Sequence, residues 1–399
     1  MPSVYTPDAT NPLQPADTDY AYLQASEMRT LKQYIQTQLG VLAGPVNTEL
    51  LSNRNLIVNP DFYYNRRSAA NNSETTLTLV PDNTVLADQW LLKTDTTQNA
   101  QKKAFDLSLG EVPGSPKFNY YLQYSNALNA TTGYLYLTQR LEDVARFFGQ
   151  TVTLSFWAKA SASTPLSLEF VQNFGTGGTP TAEIDTIGVS AASKKTITTS
   201  WAKYSLTVAI PAAPVGLVMG TNQDDYLALN LWFAAGSNYN ARTSTIGQPS
   251  INTINQFARV QLEFSGAATS FDDKGPRLIL DDCARFLPAV QPSGISAYGA
   301  AIIGQGNAVT TTTARIFVPF AVRAKKVPTG VTIAGTIGQL NLYNGAGTGI
   351  AVTAVSIYAG GVDGCILLVT VAAGLTAGQG TALTSTTVNT GLYFTGCEL

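Results

Sequence analysis

Histidine is absent from all 399 residues. That absence removes Ser-His-Asp and Cys-His nucleophilic mechanisms and the commonest zinc sites. Cysteine is nearly absent as well. Cys283, Cys365 and Cys397 cannot all pair within one chain and form no C-x-x-C motif, so they read as buried thiols. Charge is scarce, at 13% of the residues against a usual share of about a quarter. The net charge is −2 and basic residues are scattered, never more than two in a row, which leaves no stripe to neutralise successive phosphates and excludes nucleic acid as a partner. No polybasic membrane anchor is present. The longest apolar run, "CILLVTVAAGL" from Cys365, is interrupted by Thr370 and falls short of the roughly 20 residues a bilayer requires. It predicts a buried strand and no membrane insertion. The amino terminus lacks a basic stretch followed by an apolar core, so no secretion signal is expected and the chain is expected to be made in a cytoplasm.

Acid-base chemistry falls to carboxylates and lysines. The adjacent acids Glu142-Asp143, Asp224-Asp225, Asp272-Asp273 and Asp281-Asp282 read as turn residues, because neighbours on a strand point to opposite faces. A glycosidase needs two acids from separate strands about 5 to 9 Å apart. No D-x-D-x-D-G calcium loop occurs. The expectation is a protein without catalysis, metal or cofactor.

What the chain does contain divides it into four parts. Residues 1–53 begin with an arm carrying Pro2, Pro7, Pro12 and Pro15, extended and in need of a partner. A helix follows, capped by Asp17, Thr18 or Asp19 and ended by Gly44-Pro45. Its apolar stripe is Met28, Leu31, Ile35, Leu39 and Leu42. Such a stripe packs either on the chain's own β-structure or on copies of itself about an oligomer axis. From Arg54 the pattern is β: "TLTLV" (76–80), "GYLYLTQRL" (133–141), "TVTLSFWAKA" (151–160), "LSLEFVQNF" (166–174), "YSLTVAI" (204–210), "YLALNLWFAA" (226–235) and "FARVQLEF" (257–264) alternate apolar with small or polar residues. Val152, Leu154 and Phe156 share a predicted core face, and Trp90 and Trp157 are expected in the core. The fold expected is mainly β: a central sandwich of jelly-roll type over 54–275, a linker at 276–293 and a small C-terminal β-domain over 294–399. "NLIVNPDFYYNRR" (55–67) reads as the opening strand, with Leu56 and Val58 on one face, Ile57 on the other, and a turn at Asn59-Pro60-Asp61.

"NRNLIVNPDFYYNRR", "LADQW", "VTLSFWAKA", "SWAKYSLTVAIP", "LALNLWFAAGS" and "FARVQLEFSGAATSFDD" resemble, in order and spacing, the carbohydrate-binding-module-like jelly roll of bacteriophage tail fibre and receptor-binding proteins. "LILDDCARFLPAV" is similar to the segment that closes such jelly rolls. "RIFVPFAVRAKKVPTGVTI" and the final "YFTGCEL" resemble the small β-domain at the carboxyl end of these fibres. The chain departs from the family where members commonly carry Gln-Arg-Gly after the first strand and Asp-Arg-Trp at "LADQW". Here the residues are "YNRRS" and Gln89, which leaves Asp88 to find Arg66 or Arg67.

The resemblance implies a virion protein, made in the host bacterial cytoplasm and located in the tail fibre. It implies a homotrimer whose arm and helix attach to other tail or portal-adaptor proteins while the distal domains meet a host surface polysaccharide. Glycan sites stack an aromatic ring on a pyranose and add Asn, Asp or Arg hydrogen bonds from loops. The candidates are Tyr239, Asn240 and Arg242 in "GSNYNAR", Tyr343 in "LYNG", and Phe118 with Tyr120 in "KFNYY". Two other readings stay open, a structural head fibre or decoration protein and a polysaccharide depolymerase.

Overall fold

The computed structural model describes residues 54–67, 75–104, 118–124, 127–186, 193–248, 250, 252–292, 301–388 and 390–399. The expected arm and helix, with Met28, Leu31, Ile35, Leu39 and Leu42, lie outside them. Alternation builds the first layer. In Thr151–Ala160 the side chains of Val152, Leu154 and Phe156 are fully covered on one face, as period-two strand geometry requires. Lys203↔Trp157 and Tyr204↔Phe156 register this strand against Ala202–Ala209. The layer runs, in spatial order, Thr75–Val80, Gln98–Ala104, Phe118–Tyr124, Thr253–Glu263, Thr151–Ala160, Ala202–Ala209.

The second layer runs Lys194–Ile197, Thr164–Asn173, Tyr226–Ala235, Tyr134–Glu142, Trp90–Thr94, Thr84–Ala87, with Ile184–Thr186 added to Thr164–Asn173. Eight of these strands form a jelly roll. Starting from Phe118–Tyr124 and leaving out the short Ile184–Thr186, one layer holds the first, eighth, third and sixth strands, and the other holds the second, seventh, fourth and fifth. This is the order that two interleaved Greek keys produce. Between the layers Phe233 and Phe257 meet at 5.1 Å between ring centroids, joined by Trp90, Phe156 and Phe170, all fully buried. Each such ring contributes about 2–3 kcal/mol by leaving water.

Residues 55–67 depart from the expected opening strand. They form bends and a turn, with no strand assigned. Their backbone groups are satisfied by side chains and by both layers. Gln139 accepts from Val58 N at 2.8 Å and donates back to Val58 O at 2.8 Å. Leu56 N reaches Leu262 O at 2.8 Å, and Trp90 Nε1 reaches Asn59 O at 3.0 Å. The turn at 59–62 closes by Phe62 N to Asn59 O at 3.0 Å, with Asn59 in the left-handed region at φ 55°. A segment that must bond to two sheets at once cannot also run a ladder along one of them. Arg66 answers Asp88 at 2.6 Å, both buried.

Residues 55–399 form one compact unit. Within 276–293, the expected linker, Pro276–Phe286 is a helix that buries Ile279, Cys283 and Phe286, and Ala289–Val290 pairs with Leu392 and Tyr393. Beyond it, Ala301–Ala308, Thr313–Pro319, Gly364–Val371, Gly349–Gly361, Leu340–Tyr343 and Gly380–Ser385 close into a six-stranded barrel, which leaves no open edge. The apolar run from Cys365 is one of its strands, with Cys365, Leu367, Val369 and Val371 inside. Gly306 permits close pairing here, because a Cβ would lie 1.8 Å from Arg315 O. Arg285 forks onto Glu142 of the jelly roll at 2.9 and 3.0 Å, and Lys325 adds a contact at 3.2 Å.

Candidate functional site

The outward positions of the second sheet carry a different chemistry from its core positions. Tyr134–Glu142 turns Leu135, Leu137 and Leu141 inward and leaves Tyr134, Tyr136, Thr138 and Arg140 outside. Tyr226–Ala235 turns Leu227, Leu229 and Leu231 inward and leaves Tyr226, Ala228, Asn230 and Trp232 outside. Register sets these side by side: Trp232↔Tyr136, Asn230↔Thr138 and Ala228↔Arg140, with Asn230↔Glu169 on the other flank. Cross-strand neighbours of this kind lie about 4.5–5.5 Å apart at Cβ.

At one end the face is an aromatic cluster. Tyr136 lies 4.3 Å and Tyr239 5.3 Å from Trp232, and Tyr134 lies 5.9 Å from Tyr239. Trp232 is fully covered beneath them. Its indole N–H donates to Glu169 Oε2 at 2.8 Å, and Asn230 Nδ2 donates to the same oxygen at 2.7 Å. Arg242 completes the set with Nε to Oε1 at 2.5 Å and Nη2 to Oε2 at 3.1 Å, and lies 3.5 Å from Asp185. Burial works against the Arg242 charge, but the hydrogen bonds and charge of Glu169 outweigh it and hold the guanidinium proton more tightly than usual. Burial pushes the Tyr136 hydroxyl well above the ordinary phenol range.

Next to this cluster is a depression of about 120 Å³, lined by Lys93, Tyr136, Thr138, Arg140, Val171, Glu183, Tyr226, Ala228, Asn230 and Arg242. The Arg140 guanidinium sits 4.7 Å over the Tyr226 ring. Asn230 is 4% exposed, and its Oδ1 has no hydrogen-bond partner among the described residues. Thr138 and Arg140 are also the wall of a neighbouring cavity of about 210 Å³ formed with Arg67, Gln89, Trp90, Glu398 and Leu399. There Arg140 Nη1 donates to Leu399 O at 2.5 Å and Arg67 pairs with Glu398. Flat rings, an unmet acceptor and cationic donors therefore share one floor. Such a floor suits a ring with apolar C–H faces and hydroxyl edges.

Of the residues singled out from sequence, Tyr239, Asn240 and Arg242 come together at the end of Tyr226–Ala235, on Ser237–Tyr239 and Asn240–Thr243. Tyr239 packs on Trp232, Arg242 is spent on Glu169, and Asn240 is exposed. Tyr343 is elsewhere, half-buried on the barrel. Phe118 and Tyr120 lie on Phe118–Tyr124 of the first sheet, and their side chains are outside the described ones. Trp90 is in the core. Trp157 is not: it points outward from the first sheet, half-buried beside Trp201, because it follows the inward Phe156. Tyr136, Tyr226, Asn230, Trp232, Glu169 and Arg140 were missed. The signal for them is the polar and aromatic half of the same alternation that marks the core.

No family model matches the chain, and no curated protein matches it. Among solved structures, a putative sugar-binding protein from Bacteroides thetaiotaomicron aligns with a TM-score of 0.31 and 14% identity, over 53% of this chain and 100% of that one. The family 11 carbohydrate-binding module from Clostridium thermocellum aligns with a TM-score of 0.27 and 13% identity, over 49% of this chain and 98% of that one. The enzymatically active domain of tailspike protein 4 of bacteriophage CBA120 aligns with a TM-score of 0.30 and 12% identity, over 53% of this chain and 22% of that one. These are distant likenesses to carbohydrate-binding modules and to part of a tailspike.

Proposed function

We propose that the chain is a non-enzymatic glycan-binding protein of a bacteriophage fibre, and that the outer face of the second sheet is its saccharide groove. The observation that carries the glycan reading is the buried Asn230 Oδ1, without a hydrogen-bond partner among the described residues, in a depression ringed by Tyr136, Tyr226, Arg140 and Lys93. A sugar hydroxyl donates to Asn230, Tyr226 offers the ring face opposite the Arg140 guanidinium, and Arg140 and Lys93 supply to sugar oxygens the protons not already given to Leu399 O and Asn83. The virion and trimer parts of the reading rest on the sequence resemblance.

The test is binding of the purified chain to surface polysaccharide of the host bacterium. Tyr226→Ala weakens it about tenfold, the size of one aromatic contact. Equal retention of the two proteins overturns the groove. Shortening of the polysaccharide on incubation makes the chain a depolymerase instead. Antibody labelling of the head rather than the tail makes it a head fibre, and a native mass of 42.3 kDa removes the trimer.

A further inference from the structure

The outer face of the first sheet carries a second aromatic surface, separate from the groove. Trp157 and Trp201 are both half-buried and pack against Ala258, which is fully covered. Trp157 is the cross-strand neighbour of Ala258 on one side and of Lys203 on the other. Lys203 is committed to Thr269 O at 2.7 Å. Gln256 lies two residues before Ala258, hence on the same face, and is the register partner of Lys159. The Lys159 ammonium in turn lies 5.3 Å from the Trp201 ring. Gln256 is 7% exposed, and its Nε2 has no hydrogen-bond partner among the described residues.

A buried amide donor left unmet costs about 1–3 kcal/mol. Here the cost sits beside two indole faces that are only partly covered. The donor calls for an oxygen acceptor, and the indoles call for a flat, C–H-rich surface. A sugar ring offers both, its C–H face to the indoles and a hydroxyl oxygen to the amide. We propose that this face is a second saccharide subsite, in which a pyranose lies on Trp157 and Trp201 and one of its hydroxyl oxygens accepts from Gln256 Nε2. The subsite belongs to the opposite layer and does not depend on the groove.

Trp90 and Trp232 are fully buried, but Trp232 lies beneath the groove residue Tyr136, so the emission change is read in the Tyr226→Ala chain as well, where it reports Trp157 and Trp201. The full chain is titrated separately with neutral hexasaccharides of glucose, galactose and mannose at millimolar concentration, with emission and binding heat both recorded. The expected result is a saturable blue shift with at least one of them. Binding heat at this site is lost in Trp157→Ala and Trp201→Ala. In Gln256→Leu affinity falls about threefold to tenfold, the worth of one neutral hydrogen bond. That variant removes the orphaned donor, so its thermal midpoint equals or exceeds that of the native chain. Tyr226→Ala, which alters only the groove, keeps the emission shift, so failure of the groove and failure of this subsite are told apart. Absence of a shift with all three sugars overturns the proposal, as does a Gln256→Leu chain that binds as tightly as the native one. A sedimentation experiment in which Trp157→Ala alone turns an oligomer into a monomer also overturns it, by assigning the face to a second copy of the chain.

Discussion

Arg242 approaches the fully buried carboxylate of Glu169 with Nε 2.5 Å from Oε1, while its own side chain stays 29% exposed. Glu169 also receives Asn230 and Trp232, so the acid is held by donors from its own sheet and by one cation from the one-turn helix Asn240–Thr243. Removing the cation leaves a carboxylate that cannot return to water. Arg242→Ala is expected to cost about 2–4 kcal/mol, below the full penalty for breaking a buried pair because the arginine is partly solvated. Urea unfolding measures this, and Arg242→Lys recovers only part of it because an ammonium cannot fork. A loss within a few tenths of a kcal/mol would show that Glu169 is satisfied without Arg242.

Glu142 carries a pH dependence. Burial by itself raises its pKa, but the hydrogen bond and charge of Arg285, followed by Lys325, outweigh burial and hold the carboxyl below its ordinary 4.5. A group with a depressed folded pKa contributes stability that is present above its unfolded value and is lost as pH falls through the folded one. The urea midpoint is therefore expected to hold above about pH 4.5 and to drop as the pH falls below it. Glu142→Gln should start lower and fall less steeply. Parallel curves for the two proteins would remove Glu142 as a source of the slope.

The core was legible in the sequence wherever alternation was long. Val152, Leu154 and Phe156 lie inside as their spacing requires. The opening segment misled because Leu56, Ile57 and Val58 alternate like a strand, yet Gln139, 81 residues away, takes both polar groups of Val58. Nothing local in the sequence announces that exchange. Glu169 was hidden for the same reason, since the arginine that makes its burial tolerable lies 73 residues on. Trp157 was misplaced by residue type. Its hydrophobicity suggested the core, but its parity after Phe156 puts it outside.

Arg66 and Asp88 form a pair of another kind, with side chains 3% and 0% exposed. Asp88 Oδ1 also accepts from the Arg66 backbone N–H at 2.9 Å, so the contact fixes the end of the irregular opening segment. Arg66→Ala is expected to cost about 3–5 kcal/mol, and the double change Arg66→Met with Asp88→Leu to return most of it. Differential scanning calorimetry on the two variants decides the matter. If the double variant is no more stable than Arg66→Ala, the pair is needed for its directional hydrogen bonds as well as for charge balance.

The three thiols should be silent in the folded protein. Cys283, Cys365 and Cys397 are all free and buried. Burial, with a smaller contribution from the neighbouring Cys365, pushes Cys397 up to about 12, and burial pushes Cys283 and Cys365 upward as well. The reactive species is the thiolate, which for a pKa near 12 makes up about one part in 10⁴ at pH 8, against roughly a quarter for an unperturbed thiol of pKa about 8.5. A maleimide reagent is therefore expected to label none of them at neutral pH in native buffer and all three in denaturant. Because Cys365 lies inside the barrel and Cys283 on the helix Pro276–Phe286, packed with Tyr64, labelling along a urea gradient reports the two parts separately. Coincident labelling of both shows that they unfold as one cooperative unit, while earlier labelling of Cys365 shows that the barrel opens first.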